Sequence, residues 1–309
     1  MTTWWWVLFG ALALALPMAD LLVIQRHARR ESLRHAAAWS AVWVSLGLLF
    51  ALVVGVARGH PAALAYVTAY LVEVSLSVDN LFVFAALFAY FGVAHEHQHR
   101  VLFWGIFGAI VMRGLFIFAG LSLIARFHWL IYLLGVVLLA TGARLGLGEG
   151  EVVHPERNVV VRWLSRVLPI DRNYHGDRFA VRLTDGWRFT PLVLVLVAIE
   201  STDVIFAVDS VPAVLGVSRD PFVVYTSNVF AVMGLRSLYF VLAGALRSLR
   251  FLRPALALIL VLIGVKMMLA DLIEVPTAVS LAVVMLILFA GAGLSLLLPQ
   301  HKGGGMPPA

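Results

Sequence analysis

Acidic residues recur at matching spacing in two long apolar segments of this sequence. One segment carries Glu73 and Asp79, six residues apart, and the other carries Asp203 and Asp209 at the same separation, with Glu200 just before them. An ionised side chain at the centre of a membrane-spanning helix costs about 2.5–3.5 kcal/mol, so five unpaired acids would cost on the order of 12–18 kcal/mol. Because ionisable residues at such positions commonly line ion pathways or proton relays, these acids are candidate functional residues.

Few basic residues are placed to balance these acids. Arg113 and Arg236 fall near the middle of apolar segments, whereas Arg144 and Lys266 fall nearer the segment ends, where long side chains reach the interface. We therefore expect Arg113 and Arg236 to balance charge or to gate a pathway. One interpretation is that buried ion pairs fix helix packing, with surplus acids protonated. The leading interpretation is that a transported cation balances the surplus charge.

The candidate metal ligands are all oxygen donors. The sequence has no cysteine, which excludes disulfides, thiolate metal sites and thiol catalysis. Oxygen ligands favour Mn²⁺, Mg²⁺ or Ca²⁺ over zinc or copper. The predicted ligands are Glu73, Asp79, Asn80, Glu200, Asp203 and Asp209. We expect the metal to be a transported substrate, with no permanently bound cofactor.

The spacing within each pair limits how the acids can act together. Residues six apart on a regular helix point about 120° apart, so Glu73 and Asp79 need either a locally opened helix or two layers along a path. Glu200 and Asp203, three residues apart, share a helix face. Asn228 is either a further ligand or a partner in a hydrogen bond between helices.

The composition places these residues in a membrane. Of the 309 residues, 62% are hydrophobic and 13% are charged, a balance that excludes an ordinary soluble domain. A spanning helix needs about 20 apolar residues. The stretches that qualify are about 4–24, 39–57, 64–91, 101–124, 129–147, 191–215, 222–246, 254–273 and 277–298. The sequence therefore predicts an all-α polytopic membrane protein with about nine transmembrane helices.

The arginines of the connections indicate how these helices are oriented. The formal charge is +6, but the arginines concentrate after the first, fifth and seventh predicted spans. This distribution marks those connections as cytoplasmic and is not typical of a nucleic-acid surface. We therefore expect the N-terminus outside and the C-terminus inside.

Two sets of three predicted spans carry polar residues in the same order. Glu73-Val-Ser-Leu-Ser-Val-Asp79-Asn80 aligns with Asp203-Val-Ile-Phe-Ala-Val-Asp209-Ser210, Arg113 aligns with Arg236, and Gly142-Ala143-Arg144 aligns with Gly264-Val265-Lys266. Because three is an odd number, the two sets cross the membrane in opposite directions. The sequence therefore predicts an inverted 3+3 repeat of helices 3–5 and 6–8, a common transporter plan with the site near the bilayer midplane.

This repeat divides the chain into five regions. They are 1–60 with two N-terminal helices, 61–147 with the first repeat, 148–190 as a cytoplasmic loop, 191–274 with the second repeat, and 275–309 with a last helix and a disordered tail. Within the loop, Val159 to Ile170 is typical of an interfacial helix, with plain loop as the alternative. The arms around Asp185-Gly186 are typical of a hairpin.

Two further patterns concern the fourth predicted span. His95, His97 and His99 are expected in a cytoplasmic loop before it, where they either are solvated or capture metal. Within the span, Gly105, Gly108, Gly114 and Gly120 are expected to allow close helix packing.

Five motifs carry a resemblance to a known family. "VEVSLSVDNLFVF", "FGAIVMRGLFIF", "IESTDVIFAVDSVPAV", "SNVFAVMGLRSLYFVLAG" and "IGVKMMLAD" resemble the TerC/Alx family of bacterial membrane proteins, in order, over roughly residues 66–274. The resemblance implies a location in the bacterial cytoplasmic membrane. It also implies a link to tellurium resistance and, for the Alx branch, export of manganese. Its functional acids map onto Glu73, Asp79, Glu200, Asp203 and Asp209.

The leading hypothesis is a secondary transporter that exports Mn²⁺ through a midplane carboxylate site. Proton antiport is the expected coupling, because a carboxylate that loses a proton to bind metal links the two fluxes. The alternative is a non-transporting membrane component of a tellurite or envelope stress resistance complex. No enzymatic activity is expected, and an intramembrane protease is disfavoured because its motifs are absent. The expected partners are the metal ion, the lipid bilayer and a proton, with no nucleic acid. The sequence leaves the oligomeric state open.

Overall fold

The protein is almost entirely helical. The computed structural model describes residues 3–25, 33–147, 158–171, 173–183, 186–245, 251–273 and 275–297. The helices are α1 (Thr3–Gln25), α2 (Leu33–Arg58), α3 (His60–Tyr90), α4 (His95–Arg126), α5 (Leu130–Gly146), α6 (Val159–Val167), α7 (Pro191–Val217), α8 (Pro221–Met233), α9 (Leu235–Ala245), α10 (Leu252–Met268) and α11 (Thr277–Leu297), and the strands are β1 (Ala180–Leu183) and β2 (Gly186–Phe189). The predicted disordered tail from 301 onward lies outside the described residues.

Several of these helices can cross a membrane. In the described ranges, five helices are long and apolar enough to do so, and they correspond to α2, α3, α4, α7 and α11. Two shorter apolar helices lie within α1 and α5. A mostly helical multi-pass membrane protein is therefore confirmed, whereas nine spans and an inverted repeat stay predictions. The seventh predicted span is divided at Gly234 into α8 and α9.

The long helices begin at residues that suit helix starts. Pro191 is the first residue of α7, and Pro221 is the first of α8. Proline is favoured there because its fixed φ angle suits a helix and the missing N–H has no partner in the first turn. The Asp220 carboxylate caps α8 by accepting hydrogen bonds from Phe222 N, at 2.9 Å, and from Val223 N. The cap satisfies backbone donors that the helix itself leaves free.

The helices of the two predicted repeats pack against each other. Helix α3 contacts α7 and α8, α4 contacts α7 and α8, and α5 contacts α10. The α5–α10 contact is close because it is made by glycines. A Cβ added at Gly135 would lie 3.2 Å from Gly264 O, and one added at Gly264 would lie 3.0 Å from Gly135 O. The two backbones therefore touch, as small residues at membrane helix interfaces allow.

Helix α6 lies alongside the start of α7. At one end, the Asn158 side chain accepts from Val160 N and Val161 N, and its Nδ2 donates to Ser201 Oγ at 2.7 Å. At the other end, Phe189 N donates to Pro169 O at 2.9 Å. The contact at the start of α6 lies at Ser201 of α7, and the contact after its end lies just before Pro191, where α7 begins. Helix α6 therefore runs antiparallel to the first turns of α7.

The hairpin precedes α7. Strands β1 and β2 are antiparallel, with Ala180 opposite Phe189 and Leu183 opposite Gly186. Gly186, from which the sequence predicts the turn together with Asp185, is the first residue of β2, and Asp185 itself lies outside the described residues.

The expectation of a histidine loop is wrong, because α4 begins at His95. Glu96 in its first turn favours a helix start there, since an acid stabilises the positive end of the helix dipole. His97 Nδ1 lies 2.7 Å from Asp177 Oδ1. The His99 ring stacks on Phe240 with centroids 3.9 Å apart.

Candidate functional site

Four polar side chains from four helices meet inside the bundle. They are Glu73 of α3, Arg113 of α4, Asp203 of α7 and Asn228 of α8. Their exposed fractions are 0%, 1%, 2% and 0%, so water does not reach them in this state. We call these four residues the central cluster.

Arg113 occupies the middle of the central cluster. Its guanidinium donates to Asp203 through two parallel bonds, Nη2 to Oδ1 at 3.1 Å and Nε to Oδ2 at 3.3 Å. It also forms an ion pair with Glu73. Two-pronged arginine–carboxylate contacts are among the strongest hydrogen bonds in proteins and fix orientation as well.

Asn228 closes the central cluster. Its Oδ1 accepts from Arg113 Nη1 at 3.2 Å, and its Nδ2 donates to Glu73 Oε2 at 2.8 Å. The amide thus bridges the arginine and one of its acids. The sequence leaves Asn228 as either a metal ligand or a partner in a hydrogen bond between helices. The geometry shows the hydrogen bond between helices, and Asn228 lies within the candidate site.

The central cluster carries more negative than positive charge. Glu73 and Asp203 contribute two carboxylates and Arg113 one guanidinium, which gives a net charge of −1 when all three are ionised. Buried charges cost several kcal/mol each in desolvation, and only close partners offset that cost. A further cation would therefore gain favourable electrostatic interactions with the surplus carboxylate of the central cluster.

The two acids of the central cluster hold similar places in their helices. Counting from His60 and from Pro191, Glu73 is residue 14 of α3 and Asp203 is residue 13 of α7. The predicted repeat aligns the same two residues. One arginine therefore bridges the positions that the alignment treats as equivalent.

Glu200 lies beside the central cluster without a partner of its own. It precedes Asp203 by three residues, and its carboxylate is half-buried. Among the described residues it has neither an ion pair nor a hydrogen bond. The carboxylate lies against Gly108 of α4, where an added Cβ would overlap it. The glycine that the sequence assigns to close helix packing therefore makes room for an acid.

Asp209 faces a different helix from Asp203. Its Oδ1 accepts a hydrogen bond from Thr141 Oγ1 of α5 at 2.7 Å. Asp203 and Asp209 therefore act on separate neighbours, as expected for residues six apart on a regular helix. Thr141 is a contact that sequence reasoning missed, although a hydroxyl in the mostly apolar α5 was a usable signal.

The remaining predicted residues are placed as follows. Asn80 is buried in α3, and the side chain of Asp79 lies outside the described part of the structure. Arg236 is buried at the start of α9, close enough to His99 for an electrostatic interaction. Buried hydroxyls of Ser77 in α3 and Ser210 in α7 have no hydrogen-bond partner within the described ranges.

The acids are not gathered around one point. Within the residues that the structure describes, no group of three or more His, Asp or Glu side chains is arranged to hold a metal ion. Glu73 and Asp203 face Arg113, Glu200 faces Gly108, and Asp209 faces Thr141. A metal ion that used both acids of the central cluster would have to displace the guanidinium.

Comparisons with known proteins identify similar chains. Residues 58–302 match the family described as "Integral membrane protein TerC family". The chain is 43% identical over 308 residues to the "Putative membrane-bound redox modulator Alx" of Photorhabdus laumondii, covering 96% of each protein. It is 44% identical over 284 residues to the Escherichia coli K12 protein of the same name, covering 89% of this chain and 88% of the relative. It is 41% identical over 296 residues to the "Uncharacterized membrane protein STKORF319" of Myxococcus xanthus, covering 96% and 93%. No solved structure matches.

Proposed function

Since this chain belongs to the TerC family of integral membrane proteins, we propose that it is a secondary transporter that exports a divalent metal ion, Mn²⁺, from the cytoplasm. The observation that carries the proposal is the central cluster. It is fully buried, it joins helices from both predicted repeats, and it holds one carboxylate more than its arginine balances.

The ligands that the proposal assigns to the metal are oxygen donors. Carboxylate and amide oxygens suit Mn²⁺, and the chain offers no thiolate that would favour softer ions. Arg113 acts as a tethered cation that occupies Glu73 and Asp203 in the empty protein. The arriving metal replaces it there, and Glu200 supplies a neighbouring carboxylate during the exchange.

The packing of the helices supports an inverted repeat. Helix α3 contacts α8 as α7 contacts α4, and the third helices of the two sets, α5 and α10, contact each other. Any two-fold axis that relates the two sets produces such reciprocal contacts, and an axis in the membrane plane is the one that the predicted opposite crossing directions require. Transport then follows from rocking of one half against the other around a fixed site.

The proposed setting is the bacterial cytoplasmic membrane, with the N-terminus outside and the C-terminus inside. The support is the concentration of arginine in alternate connections. Proton antiport is part of the proposal, and an enzymatic role is not.

A second candidate is a non-transporting membrane component of a stress resistance complex. It is favoured by the pairing of Arg113 with both acids, because a satisfied ion-pair network also serves to fix helix packing. The curated relatives named Alx are described as redox modulators. This chain has no cysteine, so a thiol exchange of its own is not available to it.

Metal flux in proteoliposomes separates the two candidates. Wild type should move Mn²⁺ down its gradient, and Asp79→Asn, Asp203→Asn and Asp209→Asn should each lower the initial rate by about tenfold or more, corresponding to about 1.4 kcal/mol of lost metal interaction. Asp271→Asn, which removes an exposed carboxylate outside the helices, is the matched control and should keep the wild-type rate. Absence of flux in the wild type, or full flux in all three variants, would refute the transport proposal.

A further inference from the structure

A cavity lies at the end of the bundle away from α6 and the hairpin. Its volume is about 340 Å³, which is within the range of about 300–1,000 Å³ for ligand pockets. Apolar side chains from four helices form its walls, namely Ile124, Ile131, Leu215 and Met267. Two cationic residues, Arg219 and Lys266, also line it. The cavity therefore combines an apolar interior with positive charge.

Within the described ranges, neither cation of the cavity forms an ion pair with an acid. Lys266 Nζ donates to Ser280 Oγ at 3.2 Å, and Arg219 has neither an ion pair nor a hydrogen bond among the described residues. The closest acid in electrostatic terms is Asp271. Its carboxylate is already bound by Tyr132 Oη and by His128 Nε2 at 3.0 Å. Arg219 and Lys266 thus bring two positive charges to the cavity, against the single nearby carboxylate, Asp271, in the part of the chain that the structure describes.

Helix capping does not explain these cations. They lie at the C-terminal ends of α7 and α10, where positive charge is favourable. One carbonyl near the end of each helix is bonded by the main chain, as Ser218 N donates to Val214 O at 3.0 Å and Leu269 N to Val265 O at 3.0 Å. Lys266 donates to a hydroxyl and not to a carbonyl. The charge remains available to a ligand.

We propose that this cavity binds a phosphate-bearing anion with an apolar portion, as an anionic phospholipid presents with its headgroup and first acyl carbons. The cations suit the phosphate, because lysine and arginine both recognise it. The apolar walls suit the acyl carbons. The ends of spanning helices are also where phospholipid headgroups lie. This site is independent of the metal site in the central cluster.

Native mass spectrometry of the purified full-length protein tests the proposal. Phosphatidylglycerol, phosphatidylcholine and inorganic phosphate are the three probes. We expect wild type to bind phosphatidylglycerol in preference to phosphatidylcholine. Lys266→Gln and Arg219→Gln should each weaken that binding by about tenfold, as expected for loss of a charge-assisted hydrogen bond. Arg126→Gln is the matched control, because Arg126 ends α4 nearby but does not line the cavity.

The outcomes are distinct. Competition by inorganic phosphate at millimolar concentration would identify the phosphate group itself as the ligand, and absence of competition would identify the lipid. Either outcome supports the site when Lys266→Gln weakens the binding as expected. Equal binding of the two lipids, or full binding by both cavity variants, would overturn the proposal. Because no metal is added, failure here leaves the proposed transport unaffected.

Discussion

Arg113 determines what the central cluster can do. It is buried to 1% exposure and contacts two carboxylates and an amide from three other helices. The same contacts are expected whether Arg113 forms a permanent structural ion pair or is displaced by the substrate. The two cases differ in the response of the cluster when one partner is removed.

Replacement of Arg113 by glutamine should destabilise the protein by about 3–5 kcal/mol, because it leaves two buried carboxylates unpaired. Unfolding in mixed detergent micelles measures the change. Adding Glu73→Gln and Asp203→Asn to the same chain removes the uncompensated charge and should restore most of the loss. Wild-type stability of Arg113→Gln would show that the ion pairs of Arg113 do not contribute to the stability of the protein.

The Gly108→Ala variant tests the position of Glu200. The added methyl overlaps the Glu200 carboxylate, whereas a methyl at Gly105, one turn earlier, meets Ile199 Cγ2 at an ordinary 3.4 Å. We expect Gly108→Ala to lower Mn²⁺ flux by about tenfold, equivalent to about 1.4 kcal/mol, and Gly105→Ala to leave it within a factor of two or so. Equal rates for the two variants would remove Glu200 from the pathway.

The residue types of the site were predictable from the sequence, but their pairing was not. Glu73, Asp203 and Arg113 are recognisable because ionisable residues are costly in apolar spans. Which acid meets which arginine depends on how each helix is rotated against its neighbours. Helix geometry predicts that Asp203 and Asp209 point in different directions, but only tertiary packing shows that Asp203 faces Arg113 and Asp209 faces Thr141.

At the scale of elements, α5 and α10 pack closely because glycines lie at their contact. Gly264→Leu should force them apart, because even a Cβ there would lie 3.0 Å from Gly135 O. Overpacking of this kind costs about 1–3 kcal/mol, measurable by unfolding in micelles. Gly293→Ala in α11, where a Cβ meets nothing within 4 Å, is the control. Equal stability of the two variants would contradict the contact.

Local sequence signals predicted where several helices and strands begin, but they did not predict where a helix is interrupted. Pro191 marks the start of α7, and the second strand of the predicted hairpin begins at Gly186. The division at Gly234 was missed because the apolar pattern continues through it, and a single glycine costs a helix only about 1 kcal/mol. The start of α4 at His95 was missed because its first turn is polar.

At the scale of the whole molecule, the natural absence of cysteine permits a direct test of orientation. Single cysteines can replace His60, the first residue of α3, and Glu96, in the first turn of α4. Both positions are exposed, and they lie at opposite ends of α3. A membrane-impermeant maleimide should label His60→Cys in intact cells and Glu96→Cys only in inverted vesicles. Labelling of both from the same side would refute the predicted topology.

The central claim is that the transported metal binds Glu73 and Asp203 of the central cluster, where it replaces Arg113. Mn²⁺ binding to the purified protein in nanodiscs, followed by loss of the free-ion electron paramagnetic resonance signal, tests it most directly. We predict saturable binding by wild type, at least about tenfold weaker binding by Glu73→Gln and by Asp203→Asn, a loss of about 1.4 kcal/mol, and unchanged binding by the Asp271→Asn control. Wild-type affinity in both cluster variants, or no saturable binding by the wild type, would contradict the claim.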